Sequence, residues 1–216
     1  MTDTMRVAFL GEGSSDNGIA PHIERLAAER NIRSSVTVPD FARLDGKVGH
    51  SVPEKLCALR GFGDEYDLVV VHRDADNAGH EARALEISQA IGTQWAEIAH
   101  VPTIPVRMLE AWLLLDEQAI RQVAENPNGR TPLQLPKLAA IERNADPKAL
   151  LKETLAKASG LSGRRFEQFQ RRFPQHRLRL LELLDPRGPV LQLPSWNRFI
   201  GDLDAAFNAW LIGRNG

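Results

Sequence analysis

Asp67-Leu68-Val69-Val70-Val71-His72-Arg73-Asp74-Ala75-Asp76-Asn77 decides the fold. Leu68 to Val71 are apolar without alternation, as in a strand covered on both faces, and such strands belong to parallel sheets. An acidic turn follows directly. A helix is expected from about Ala78 to Ile91, then a strand over Glu97 to Val101. The N-terminal stretch repeats the pattern. Arg6 to Leu10 reads as a buried strand, and Gly11-Glu12-Gly13-Ser14-Ser15-Asp16 as the turn after it. The next helix runs to about Arg30, with Ile19, Ile23 and Leu26 on one face. Pro21 lacks an N–H, so it belongs in that helix's first turn. Ser34 to Val38 alternates as a half-buried strand does. Phe41 to Ser51 is a loop containing Gly46 and Gly49, and Pro53 opens a short helix ending near Gly61 and Gly63.

Strands separated by helices imply parallel pairing through crossover connections. In such sheets ligands gather beyond the carboxyl ends of the strands. Glu12 and the Asp74/Asp76 pair both follow a strand, so they are expected at one edge of the sheet. The expected fold is α/β: a parallel-type sheet of about four strands flanked by helices over residues 1–115, with a helical C-terminal region, 116–216, packed on it. In that second part MLEAWLLLDEQAIRQVA (108–124) reads as one helix, or two broken near Asp116. Further helices are expected at about 137–143, 147–159, 164–173 and 176–184. The last should begin with Ser195 as cap and carry the apolar stripe Trp196, Phe199, Ile200, Leu203, Phe207, Trp210 and Leu211.

Hydrophobic residues make up 43% and charged residues 25% of the 216, so a packed core is expected rather than disorder. The net charge of −1 means that any surface for a polyanion must come from local clustering. One cysteine, Cys57, excludes an internal disulfide and a cysteine-based zinc site; its helical surroundings suggest a small buried residue. No stretch reaches the ~20 apolar residues of a membrane span, and the N-terminal apolar run is too short for a signal peptide. A soluble, cytoplasmic protein is expected.

Mg²⁺ prefers oxygen ligands and often takes only one or two carboxylates from protein. Asp74 and Asp76 straddle Ala75, and in an extended segment alternate side chains share a face. Two such carboxylates repel until a divalent cation neutralises them. Glu12 would add a third oxygen ligand or move a proton. A metal there polarises a phosphate and acidifies bound water. The alternative for Asp76 is a plain helix cap.

GEGSSDN at 11–17, after an apolar strand, resembles the first motif of the TOPRIM family, and VVVHRDADN at 69–77 resembles its second, the Asp-x-Asp motif. The resemblance implies Glu12 as acid/base residue, Asp74 and Asp76 as Mg²⁺ (or Mn²⁺) ligands, and Asp16 as an additional acid. It implies a metal-dependent nuclease acting on DNA or RNA. VRMLEAWLLLD (106–116) and DPKALLKETL (146–155) are similar to a TOPRIM-like bacterial group of unknown function. That group is often encoded beside ATPases, some in phage-defence loci, which implies a role in defence or DNA repair. An ATPase partner and a homodimer are among its implications. The chain departs from the pattern at Asn77, where that group often has an acid. Tyr66 lies at the end of its strand opposite to the acids, against a covalent topoisomerase tyrosine. No phosphate-binding Gly-x-x-x-x-Gly-Lys-Ser/Thr is present, so ATP hydrolysis would belong to another chain.

Glu110 stands in an apolar helix and needs a partner if buried: it is a further metal-site acid, or it pairs with Arg107, or it lies on the one wet face of that helix. Arg73 is a candidate phosphate ligand, Lys47 another, and His72 reads as a packed residue. Arg164, Arg165, Arg171, Arg172, Arg177 and Arg179 form a basic cluster that suits phosphates or simply faces water, with Phe166, Phe169 and Phe173 turned to the core. Two other functions stay open: a non-catalytic nucleic-acid- or nucleotide-binding subunit of an ATPase complex, and a small-molecule phosphatase or nucleotidyl-transfer enzyme.

Overall fold

The computed structural model describes residues 4–41, 44 and 47–215. Four strands, β1 (Met5–Leu10), β2 (Ser34–Thr37), β3 (Leu68–His72) and β4 (Ala99–Thr103), form an all-parallel sheet in the order β2-β1-β3-β4. Helices α1 (Ala20–Ala28), α2 (Val52–Gly61) and α3 (His80–Gln94) connect them. Parallel crossovers are right-handed. The step from β1 to β2 runs one way along the sheet, and the steps from β2 to β3 and β3 to β4 run the other. They therefore place α1 on one face and α2 and α3 on the opposite face. The side chains record this. Val7 and Phe9 share a core with Ile23 and Leu26 of α1, whereas Ala8 and Leu10 pack with Leu56, Leu59, Ile87 and Ile91 of α2 and α3.

One crossover helix cannot cover its face, and the second half of the chain completes the layer. It consists of α4 (Glu110–Leu113), α5 (Glu117–Val123), α6 (Leu138–Ile141), α7 (Pro147–Ser159), α8 (Gly163–Arg171), α9 (Phe173–Leu183) and α10 (Pro194–Asn215). Their apolar residues are continuous with Val7, Phe9, Val70 and Val101 of the sheet. The chain does break at Asp116, which caps α5 by accepting from the Ala119 N–H. Trp112, Trp196 and Phe199 pack together at the centre, with the Trp112 and Trp196 rings edge-to-face at 4.8 Å.

Several expectations need correction. The turn after β1 tightens into a 3-10 helix, Ser14–Ile19. The fourth strand starts at Ala99 rather than Glu97. Ser195 is not a cap: it lies inside the first turn of α10, and its buried hydroxyl accepts from Trp112 Nε1 at 2.8 Å. Cys57 is exposed, because it falls on the face of α2 opposite Leu56 and Leu59. Gly46 of the expected loop lies outside the described residues. Among the described residues no helix is long and apolar enough to cross a membrane.

The Trp112–Ser195 bond joins α4 to α10 in a dry interior. Ser195→Ala leaves the indole N–H unpaired and is expected to cost about 1–3 kcal/mol in urea denaturation. In a Trp112→Phe background, where the donor is gone, the same change should cost markedly less.

Candidate acidic site at the sheet edge

β1 and β3 are neighbours, with Leu10 opposite Val71, and their following connections leave in opposite directions. This is the switch point at which α/β sheets open a crevice. The two acidic turns meet there: the Asp74 N–H donates to Glu12 Oε1 at 3.3 Å. Glu12, Asp16, Asp74 and Glu110 line one cavity of about 260 Å³, together with Met108, Phe173, Lys148 and Arg177.

Each acid is held differently. The Asp16 carboxylate accepts from the Gly13 N–H at 2.9 Å and from Arg177 Nη1 at 2.7 Å. Arg177 Nε reaches Glu110 Oε1 at 2.8 Å, and Nη1 also reaches the Ser15 hydroxyl. Asp16, Glu110 and Arg177 are all at least 94% buried. Arg177 therefore does not belong to an exposed basic cluster; it is the partner that buried Glu110 requires. Arg107, the partner considered from sequence, instead reaches the Asn77 side chain and the Asp76 carbonyl. Close packing delivers Arg177: a Cβ on Gly18 would lie 2.6 Å from Leu181 Cβ, so only glycine lets α9 approach the 3-10 helix this closely.

Asp74 Oδ1 accepts from the Leu109 N–H at 2.9 Å, but among the described residues no arginine or lysine bonds to its carboxylate. Burial, aided by Glu12, Glu110 and Asp16 and opposed by His72, pushes its pKa up to about 7. Burial acts on Asp16 in the same sense but is outweighed by His72, Arg177 and the Gly13 N–H, which hold its pKa below the usual carboxylate range. His72 is packed, as its sequence context suggested. Its Nδ1 faces the Thr103 carbonyl at 3.0 Å, so that nitrogen carries the proton. Among the described residues Nε2 has no hydrogen-bond partner, and it points between Asp74 Oδ1, 3.6 Å away, and Asp16 Oδ2, 3.7 Å away.

The remaining expected residues lie around the rim. Asp76 does not share a face with Asp74. The segment is not extended there: Asp76 takes φ 47°, and its half-exposed carboxylate turns to Arg83 at 3.4 Å. Arg73 does not face the cavity but lies between Glu12, at 3.0 Å, and Glu86, at 3.3 Å. Lys47, Arg164 and Arg165 are exposed and do not line this cavity. Sequence reading missed Lys55, whose ammonium donates to the Gly11 and Glu12 carbonyls and clamps the first acidic turn. It missed Lys148 at the cavity wall as well.

The donors suit a divalent cation chemically: carboxylate oxygens for a hard ion and an orphaned imidazole nitrogen aimed between two of them. Among the described residues, however, no three His, Cys, Asp or Glu side chains stand in a geometry that could hold a metal ion. The physical reason is visible. Asp16 and Glu110 are turned to Arg177, and Glu12 to Arg73. Binding a cation between Glu12 and Asp74 would draw Glu12 away from Arg73.

The raised Asp74 pKa has a sign that can be tested. Between its ordinary value of 3.8 and about 7, the unfolded chain carries the charge while the folded chain keeps the proton. Stability contributed at low pH is therefore lost as pH rises through that window, and the full penalty persists above it. Asp74→Asn removes the penalty. In chelator, the variant should exceed the parent in stability at pH 8, by up to about 4 kcal/mol, and match it at pH 4. Urea denaturation at the two pH values reads this directly; equal stability at pH 8 would mean that the carboxylate is not strained.

Comparisons of the chain with protein-family models, curated proteins and solved structures returned no match.

Proposed function

We propose that the chain is a Mg²⁺- or Mn²⁺-dependent phosphodiesterase of TOPRIM type acting on nucleic acid, with its chemistry in the acidic cavity. One observation carries the reading: the Asp74 N–H bonds to Glu12 Oε1 across 62 positions of sequence, inside a cavity that Asp16 and Glu110 also face. Among the described residues, four carboxylates line that cavity against two basic side chains on its walls, Arg177 and Lys148, with Arg73 holding Glu12 from outside. That excess of negative charge suits a divalent cation, which also brings a phosphate to an otherwise repulsive site. When bound, the cation supplies charge stabilisation at the phosphoryl group and an acidified water.

In this reading Glu12 and Asp74 hold the cation. Burial that makes the empty Asp74 carboxylate costly makes the loaded one favourable. Glu12 is the more accessible of the two and is the group placed to take a proton. Arg73 orients Glu12 rather than binding phosphate, because both of its contacts go to carboxylates. Lys148 replaces it as the cation facing substrate. Arg177 fixes Asp16 and Glu110 as the back wall of the site. A second reading, a binding subunit without catalysis, draws support from this same arginine, which already neutralises two of the acids.

Asp74→Asn and Glu12→Gln should each lower Mn²⁺-dependent cleavage of labelled DNA or RNA by about 10²–10⁴. Asp76→Asn, on the rim, should lower it less. Cleavage by the Asp74→Asn/Glu12→Gln double variant at the parent rate would refute the assignment. Binding without any cleavage, in either metal, would favour the second reading, and turnover of a small phosphate monoester alone would favour a phosphatase.

A further inference from the structure

Residues 148–172 carry seven basic side chains and two acidic ones, in a chain of net charge −1. Charge this lopsided is usually no more than a solvated helix face. Three observations argue otherwise. First, several arginines elsewhere are paired: Arg6, Arg25, Arg83, Arg121, Arg179 and Arg187 each bond to a carboxylate. Exposed Arg164, Arg165, Arg171 and Arg172 have no such partner among the described residues. Second, Lys148 stands in the first turn of α7, where the helix dipole disfavours a cation, and it faces the acidic cavity. Local rules are broken in this way chiefly at functional sites.

Third, neighbouring cavities share aromatic walls. Phe173 lines both the acidic cavity and a second one of about 280 Å³, which Lys152, Leu155, Phe169 and His176 also line. Phe169 in turn lines a third, of about 540 Å³, with Arg165, Gln168, Arg171 and Arg172 on its walls. The order along the surface is thus acidic site, a cavity of mixed polarity with aromatic walls, and a cavity with three arginines and Glu125 on its walls. A duplex keeps its bases stacked and paired, so no base could enter the middle cavity. A single strand offers phosphates and unstacked bases alternately, and aromatic walls beside basic grooves are how proteins hold such strands.

We infer that the three cavities form one track for single-stranded nucleic acid, which seats a phosphate at the acidic site, a base in the middle cavity and the following phosphates on Arg165, Arg171 and Arg172. The inference rests on the proposed phosphodiesterase reading for its first position only. Lys148 and Lys152, one turn apart on α7, carry the strand from the first cavity to the second.

The test is binding of a fluorescein-labelled 12-nucleotide single strand, and of the matching duplex, followed by anisotropy across a NaCl series in chelator. The single strand should bind more tightly. Arg165→Gln/Arg171→Gln/Arg172→Gln should weaken it at least tenfold at 0.1 M NaCl. The slope of log K against log[NaCl] should flatten by about 2, near 0.7 for each lost phosphate contact. A control with the same change in charge, Arg33→Gln/Arg130→Gln/Arg143→Gln, should leave the slope unchanged. Equal effects of the two triple variants, or tighter binding of the duplex, would overturn the track. Cleavage of bis(p-nitrophenyl) phosphate separates the two readings. Turnover of that small diester without strand binding keeps the active site and removes the track. Strand binding with the expected slopes, but no cleavage of any diester, supports the track and removes the catalytic reading.

Discussion

The site depends on a constraint of topology: β1 and β3 lie side by side, and the chain leaves them in opposite directions. Right-handed crossovers admit few other arrangements of these strands. The consequence is a crevice at the carboxyl ends of the two central strands. Both acidic turns open into it, and the Glu12–Asp74 contact is the local expression of that global arrangement.

The same topology leaves α1 alone on one face, and the helices after β4 must fill it. They do more than cover apolar surface. α9 carries Arg177 across to Asp16, Ser15 and Glu110, linking three segments up to 162 residues apart. A buried ion pair of this kind is weak evidence for net stability, because desolvation offsets much of the attraction; losing one partner is what costs heavily. Its stronger effect is to fix register: only one docking of α9 satisfies all three acceptors, and Gly18 permits the approach. The helical region is thereby tied to the acidic turns, not merely laid on the sheet.

Electrostatics at the edge are uneven. Asp16 and Glu110 have a buried cation, Glu12 has Arg73 at the rim, and Asp74 is bonded to no arginine or lysine among the described residues, with the Leu109 N–H on its carboxylate and the His72 ring 3.6 Å away. The strain falls on the one carboxylate left without a cation, and the orphaned Nε2 of His72 faces it. Such unsatisfied groups are exceptional in dry interiors and call for an explanation. Departures of this kind from local rules occur at functional or strained sites.

The strand-like runs at 6–10 and 67–71, each followed by acids, were enough by themselves to establish a parallel α/β sheet and to bring Glu12 and Asp74 to one rim. Local hydrophobic period and strand-end position decide both, and neither needs distant contacts. The break at Asp116 was legible too, since an aspartate there can cap a new helix. The partners of the charges were not legible. Glu110 demanded a cation, but which arginine answered depended on how closely α9 packs on the 3-10 helix. Asp76 was expected beside Asp74 because an extended backbone was assumed; a left-handed residue turned it to Arg83. Lys148, Lys55 and His72 acquired their places only when segments far apart in sequence met. Periodicity reports which face of an element is buried, whereas ion pairing is settled between elements, where single side chains of like charge look the same in sequence.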